Sequence, residues 1–116
     1  MHEMALMGDI LQLVENDARS RDIKHIEKIE LVVGDLSNAL PDALEMAFEV
    51  FRARRLALLS EESQLLIIKE AARAKCTVCG HEYNPDTRIS ICPECRLPSG
   101  ILTAGETFKV QSYEGS

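Results

Sequence analysis

The sequence predicts an α+β fold: a three-stranded sheet packed with two helices, plus an inserted four-cysteine ribbon module. Three observations carry this. Residues 2–20 repeat their apolar side chains at helical spacing, as do residues 41–51. Three segments, near residues 26–33, from about 64 into the cysteine region, and near 106–113, carry apolar residues over strand lengths. All four cysteines fall between the second and third of those segments, in two Cys-x-x-Cys pairs.

In the first helix Met4, Met7, Leu11, Val14 and Ala18 line one side, and Leu6, Ile10 and Leu13 widen the stripe. Asp9, Gln12, Glu15 and Asn16 take much of the other side. The methionines read as core or contact residues. Ile26 to Val33 is a strand in which Ile29, Leu31 and Val33 alternate with Lys28, Glu30 and Val32, and Gly34-Asp35 ends it. Pro41 suits the first turn of the second helix, and Asp42 and Glu45 complement the dipole there. Leu44, Ala47, Phe48 and Phe51 are its expected buried face, and Arg52, Arg54 and Arg55 sit near its C-terminus, where cations are favoured. The Leu65-Leu66-Ile67-Ile68 run reads as a central strand buried on both faces. Glu106 to Tyr113 is the last strand, with Phe108 and Val110 on one face. With 4% aromatics and no Trp, the core is aliphatic.

The cysteine pairs are Cys76-Thr77-Val78-Cys79 and Cys92-Pro93-Glu94-Cys95, with 12 residues between them. Each turn aims two thiolates at one centre, and two turns together make the tetrahedral Cys₄ set that zinc prefers. Gly80 stands where the chain must turn tightly behind the metal, and Pro93 fixes φ inside the second turn. An iron site uses the same ligands. Disulfides are the next alternative, disfavoured because Met1-His2-Glu3-Met4 opens neither a signal nor a transit peptide. A closed Cys₄ site builds structure and performs no chemistry.

The net charge of −6 argues against non-specific nucleic-acid binding. Residues 74–100 balance Lys75, Arg88 and Arg96 against Glu82, Asp86 and Glu94, and Tyr83 is their only aromatic. A ribbon that binds nucleic acid or protein is therefore the alternative reading and not the leading one. A thiol–disulfide enzyme would need a thioredoxin-like context that is missing. There is no nucleotide-binding glycine loop and no nucleophile in a recognisable setting, so no enzyme is expected. No apolar run approaches the ~20 residues of a membrane span, and a cytoplasmic, reducing setting is the default.

The start of the chain has its own chemistry. The Met1 α-amine, the His2 backbone nitrogen and the His2 Nδ1 close adjacent chelate rings on one metal, and Glu3 offers a backbone nitrogen or a carboxylate as fourth donor. Planar nitrogen-rich sets suit Ni(II) and Cu(II), not Zn(II). Proton competition makes such a site pH-sensitive, since the amine and imidazole have pKa values of about 7.7–8.0 and about 6.5.

Met1-His2-Glu3-Met4, the segment Gly34-Asp35-Leu36-Ser37-Asn38-Ala39-Leu40-Pro41-Asp42-Ala43-Leu44-Glu45-Met46-Ala47-Phe48-Glu49, and the two spaced cysteine pairs before a final strand together resemble the hydrogenase nickel-incorporation protein family, the HypA-type nickel metallochaperones. The resemblance covers essentially the whole chain. It implies an accessory protein for [NiFe]-hydrogenase maturation, in some relatives also for urease. It implies Ni(II) carried by His2 with Met1 and Glu3, and structural zinc on Cys76, Cys79, Cys92 and Cys95. It implies a nickel-handling GTPase and a hydrogenase large-subunit precursor as partners, with no nucleic acid and no membrane. Residues 1–73 with 104–116 are then a nickel-binding α/β domain and residues 74–103 a zinc-binding ribbon. Some relatives carry a His just after each cysteine pair. Here His81 stands two positions after Cys79 but Arg96 follows Cys95, so a two-Cys, two-His rearrangement is not available and His81 reads as a neighbour or surface residue. His25 reads as an ordinary surface residue. The chain is expected as a monomer or as a homodimer made through the second-strand edge or a swapped last strand.

Overall fold

The computed structural model describes residues 2–87 and 89–116. The element order is α1 (His2–Ser20), β1 (Ile26–Gly34), α2 (Pro41–Ala53), β2 (Gln64–Glu70), β3 (Arg73–Cys76), β4 (Glu82–Tyr83), β5 (Gly100–Ala104) and β6 (Phe108–Gly115). The strands form two three-stranded sheets, β2-β1-β6 and β4-β3-β5. Among the described residues, no helix is long and apolar enough to cross a membrane. The chain divides into two compact units, residues 1–32, 39–68 and 109–116 in one and 33–38 with 69–108 in the other.

In the first unit α1 buries Met7, Ile10, Leu11, Val14 and Ala18 of the expected stripe, whereas Leu13, expected to widen it, is 67% exposed. Phe51 of α2 packs over Gly8, its ring 3.6 Å from where a Cβ would stand, an ordinary contact distance. α2 starts on Pro41 and buries Leu44, Ala47 and Phe48. Ile29 and Leu31 of β1 are fully buried. Each such aliphatic side chain stabilises the fold by roughly 1.5–3 kcal/mol through removal from water.

β1, not β2, is the central strand, which corrects the expectation drawn from the Leu65–Ile68 run. β2 lies at an edge, and Leu66 and Ile68 are 45% and 38% exposed. A continuous apolar run marks burial on both faces only if something covers the second face, and no described element covers Leu66 and Ile68. β1 and β2 run parallel. The Ser63 hydroxyl, at the entry to β2, donates to the Ile26 carbonyl at the start of β1, and Asp35, just past β1, donates its N–H to the carbonyl of Glu70, the last residue of β2. β6 runs antiparallel to β1, with Gly34 N–H on the Thr107 carbonyl at one end and Ser116 N–H on the His25 carbonyl at the other.

In the second unit β3 pairs antiparallel with both neighbours, Ala74 opposite Tyr83 and Leu102, and Cys76 opposite Gly100. Ala74, Cys76, Tyr83 and Cys92 form its small core, joined by Cys95 and Leu102. Two carboxylates fasten its base: Asp35 accepts the Ala72 N–H, and Glu70 accepts the Gly105 N–H at 2.6 Å.

Candidate metal centres

The four cysteines converge as expected. Their sulfurs all lie within 4.8 Å of one another. Cys76 and Cys95 are 3.8 Å apart, and Cys79 and Cys92 are 3.7 Å apart. Zinc–sulfur bonds of about 2.3 Å in a tetrahedron place the sulfurs about 3.8 Å apart, so the cluster fits a tetrahedral ion of the zinc or iron type. All four are free thiols.

The two turns are built alike. The Val78 and Cys79 N–H groups point at the Cys76 sulfur at 3.3 and 3.4 Å, and the Cys95 N–H points at the Cys92 sulfur at 3.4 Å. Behind them Gly80 donates its N–H to the Cys76 carbonyl and Arg96 donates its own to the Cys92 carbonyl. Both closing residues are left-handed, at φ +76° and +59°. Glycine marks the first such position in the sequence, whereas Arg96 gives no sign of the second. Ser99 adds a hydroxyl 3.1 Å from the Cys76 sulfur.

These contacts polarise the cluster. The Cys76 thiol is held down to about 5, first by the Cys79 amide and then by the Ser99 hydroxyl. Cys95 is pushed up to about 12, first by the Cys79 sulfur and then by burial. Cys79 also lies above its ordinary value: the His81 amide acts to lower it, but burial and the Cys76 and Cys92 sulfurs outweigh that. Four sulfurs this close cannot all carry charge without a cation among them.

His81 is not part of the four-sulfur group. Its ring stacks on Tyr83, centroids 6.0 Å apart and planes at 9°, and its carbonyl accepts the Cys76 N–H. His25 departs from the surface reading: it is half-buried, with Nε2 2.6 Å from the Ser60 hydroxyl.

At the other candidate centre Met1 lies outside the described residues, as does Arg88 of the cysteine region. α1 opens on His2 itself, whose side chain is 60% exposed, with Nδ1 3.6 Å from Glu3 Oε2. Amides in a helix's first turn have no intrahelical acceptor, which leaves the His2 and Glu3 nitrogens outside the helix ladder. The Glu3 carboxylate is mostly covered and accepts the Leu40 N–H at 3.3 Å. Leu40 caps α2 with no side-chain hydrogen bond of its own. The Glu3 carboxyl is held below its ordinary value by its own backbone N–H first, then by Leu40 and His2, against desolvation. No sequence signal announces a partner 37 positions away.

A small α/β fold carrying a four-sulfur cluster in an inserted ribbon defines a metal-binding protein. Residues 1–115 match the family model for hydrogenase/urease nickel incorporation, metallochaperone, hypA, and the chain belongs to that family. It is similar to the hydrogenase maturation factor HypA of Moorella thermoacetica, 36% identical over 115 residues and covering 99% of each chain. It is also similar to that of Chlorobium luteolum, 36% identical over 112 residues and covering 97% of this chain and 93% of the relative. Among solved structures, a solution structure of HypA protein superposes with a TM-score of 0.68 at 26% identity over 100% of this chain and 97% of that one. The Ni metallochaperone HypA from Helicobacter pylori shares the fold, with a TM-score of 0.65 at 24% identity over 97% and 96%. The family is one of metallochaperones and maturation factors, not of enzymes.

Proposed function

We propose that this protein carries Ni(II) at Met1-His2-Glu3 and releases it into a nickel enzyme under assembly, a [NiFe]-hydrogenase or a urease. The observation that carries the reading is that the family match begins at residue 1, so the Met-His-Glu start lies inside it. Support comes from the helix start: an exposed His2 imidazole next to amides that lie outside the helix ladder. Such a site is open to a partner's ligands, which suits a cargo that has to leave.

Zinc on Cys76, Cys79, Cys92 and Cys95 is structural in this reading, because four protein ligands close its coordination. Residues 74–103 serve as the zinc ribbon, and residues 1–73 with 104–116 handle nickel. The partners are a nickel-handling GTPase and a hydrogenase large-subunit precursor, met in the cytoplasm. Raw affinity follows Cu(II) above Ni(II), so selection for nickel falls to partner contact and copper scarcity. The test is His2→Ala. It should abolish nickel binding and hydrogenase maturation while zinc content and helicity stay unchanged. Nickel binding retained at full strength would overturn the proposal.

A further inference from the structure

The cysteine ribbon carries a cleft of about 390 Å³, lined by Tyr83, Pro85, Asp86, Ile89, Ile91 and Pro93 among others, and none of its lining residues is a cysteine. Its back is fixed. Tyr83 packs in the small core with Cys76 and Cys92, and Pro93 lies inside the second cysteine turn. Its rim is apolar and open. Ile89 and Ile91 are 69% and 58% exposed, whereas Ser90 between them is buried at 3%. Single exposed aliphatics are normal on any protein. Two of them on the rim of one cleft, with two prolines beside them, form a continuous apolar surface, and such surfaces mark binding grooves.

The polar groups of the lining divide into spent and unspent. Asn84 is used inside the ribbon, since its amide donates to the Ala72 carbonyl and its oxygen accepts from Arg73. The Thr87 hydroxyl donates to the Ile89 carbonyl. Asp86 is exposed and is the one charged group among the described lining residues. The chain around it carries a net charge of −6.

We infer that this cleft binds an extended peptide segment of a partner protein, one that sets an aliphatic or proline side chain close to a lysine or arginine. The apolar side chain rests on Ile89, Ile91 and the two prolines, and the cation meets Asp86. An acidic segment, or a nucleic acid, would meet the Asp86 carboxylate and the net negative charge instead. Pockets for small molecules enclose about 70–90% of the ligand. Isoleucines as exposed as these enclose little, whereas a chain lying across an open rim need not be engulfed. A contact this small is weak, and salt weakens it further because Asp86 is exposed. The inference goes beyond nickel carriage, as no group of Met1-His2-Glu3 takes part in it.

The experiment selects phage-displayed random heptapeptides on the zinc-loaded full chain. Enriched peptides are then synthesised and titrated against the native chain, D86N and the double variant I89S/I91S, with the amide resonances of Asp86, Ile89 and Ile91 followed in the native chain. All three positions are exposed, and unchanged circular dichroism and zinc content check that the variants fold. The expected peptides share a lysine or arginine within a few residues of an aliphatic or proline side chain, and they move those three resonances. They should lose roughly tenfold in affinity for I89S/I91S, roughly threefold or more for D86N, and bind more weakly as salt is raised. Failure to enrich any peptide overturns the inference, as does a consensus that is acidic or lacks a cation. Affinity unchanged in I89S/I91S or in D86N also overturns it, because the contact then lies outside the cleft or is made without its carboxylate.

Discussion

Replacing Gly100 by Ala tests how the ribbon holds its cysteines. Gly100 lies opposite Cys76 in the β3–β5 pairing, so its surroundings are those of a member of the four-sulfur cluster. A Cβ there would stand 1.9 Å from the Tyr83 hydroxyl, 2.6 Å from the Ser90 Cβ and 3.0 Å from the Ser90 carbonyl. Tyr83 and Ser90 are themselves buried, so neither can make room without disturbing its packed neighbours. Overpacking of this kind costs about 2–3 kcal/mol. In a metal-organised module that cost appears as lost metal affinity, since binding and folding share one free energy. At 1.4 kcal/mol per tenfold, zinc affinity should fall about 30- to 150-fold. The assay is zinc competition against a chromophoric chelator, in a double-mutant cycle with Tyr83→Phe. Removing the Tyr83 hydroxyl removes the closest clash and should recover about tenfold in the Gly100→Ala background, while changing the native chain little. Zinc affinity in Gly100→Ala within threefold of native, or the absence of coupling to Tyr83→Phe, would refute this picture of the packing.

Two further outcomes follow from buried or covered polar contacts. Ser63 is fully buried, and its hydroxyl accepts the Ser60 N–H and donates to the Ile26 carbonyl; Ser63→Ala should therefore destabilise the chain by about 2 kcal/mol in urea unfolding, the cost of orphaning buried groups. In the first turn of α1, the Glu3 carboxyl lies below its ordinary 4.5 in the folded chain, held by its own backbone N–H and then by Leu40, so these ties contribute above that value and are lost as the pH falls through the lowered one. The Leu40 amide resonance should report that titration in the metal-free protein, and Glu3→Gln should remove it; an unchanged Leu40 titration in Glu3→Gln would count against the contact.

Much of this molecule is legible where period and local chemistry agree. α1 buries Met7, Leu11, Val14 and Ala18 because their spacing makes one face, and Pro41 opens α2 because its missing N–H costs nothing there. The cysteine cluster is legible because two like turns supply all four of its sulfurs. What stays hidden depends on long-range pairing. Nothing in Leu65–Ile68 says whether it lies inside a sheet or at its rim, since that is decided by which strands flank it. The Glu3–Leu40 and His25–Ser60 contacts join residues 37 and 35 positions apart through side chains common on any surface. Arg96 closes the second cysteine turn in a conformation for which glycine is the usual signal, so only the backbone reveals it.

The central claim is that a free Met1-His2-Glu3 terminus is the nickel site. The most direct test is a Ni(II) titration of the zinc-loaded chain beside the same chain carrying a short N-terminal extension. One nickel is expected on the native chain and none on the extended one. Equal binding by both would contradict it and place the nickel elsewhere.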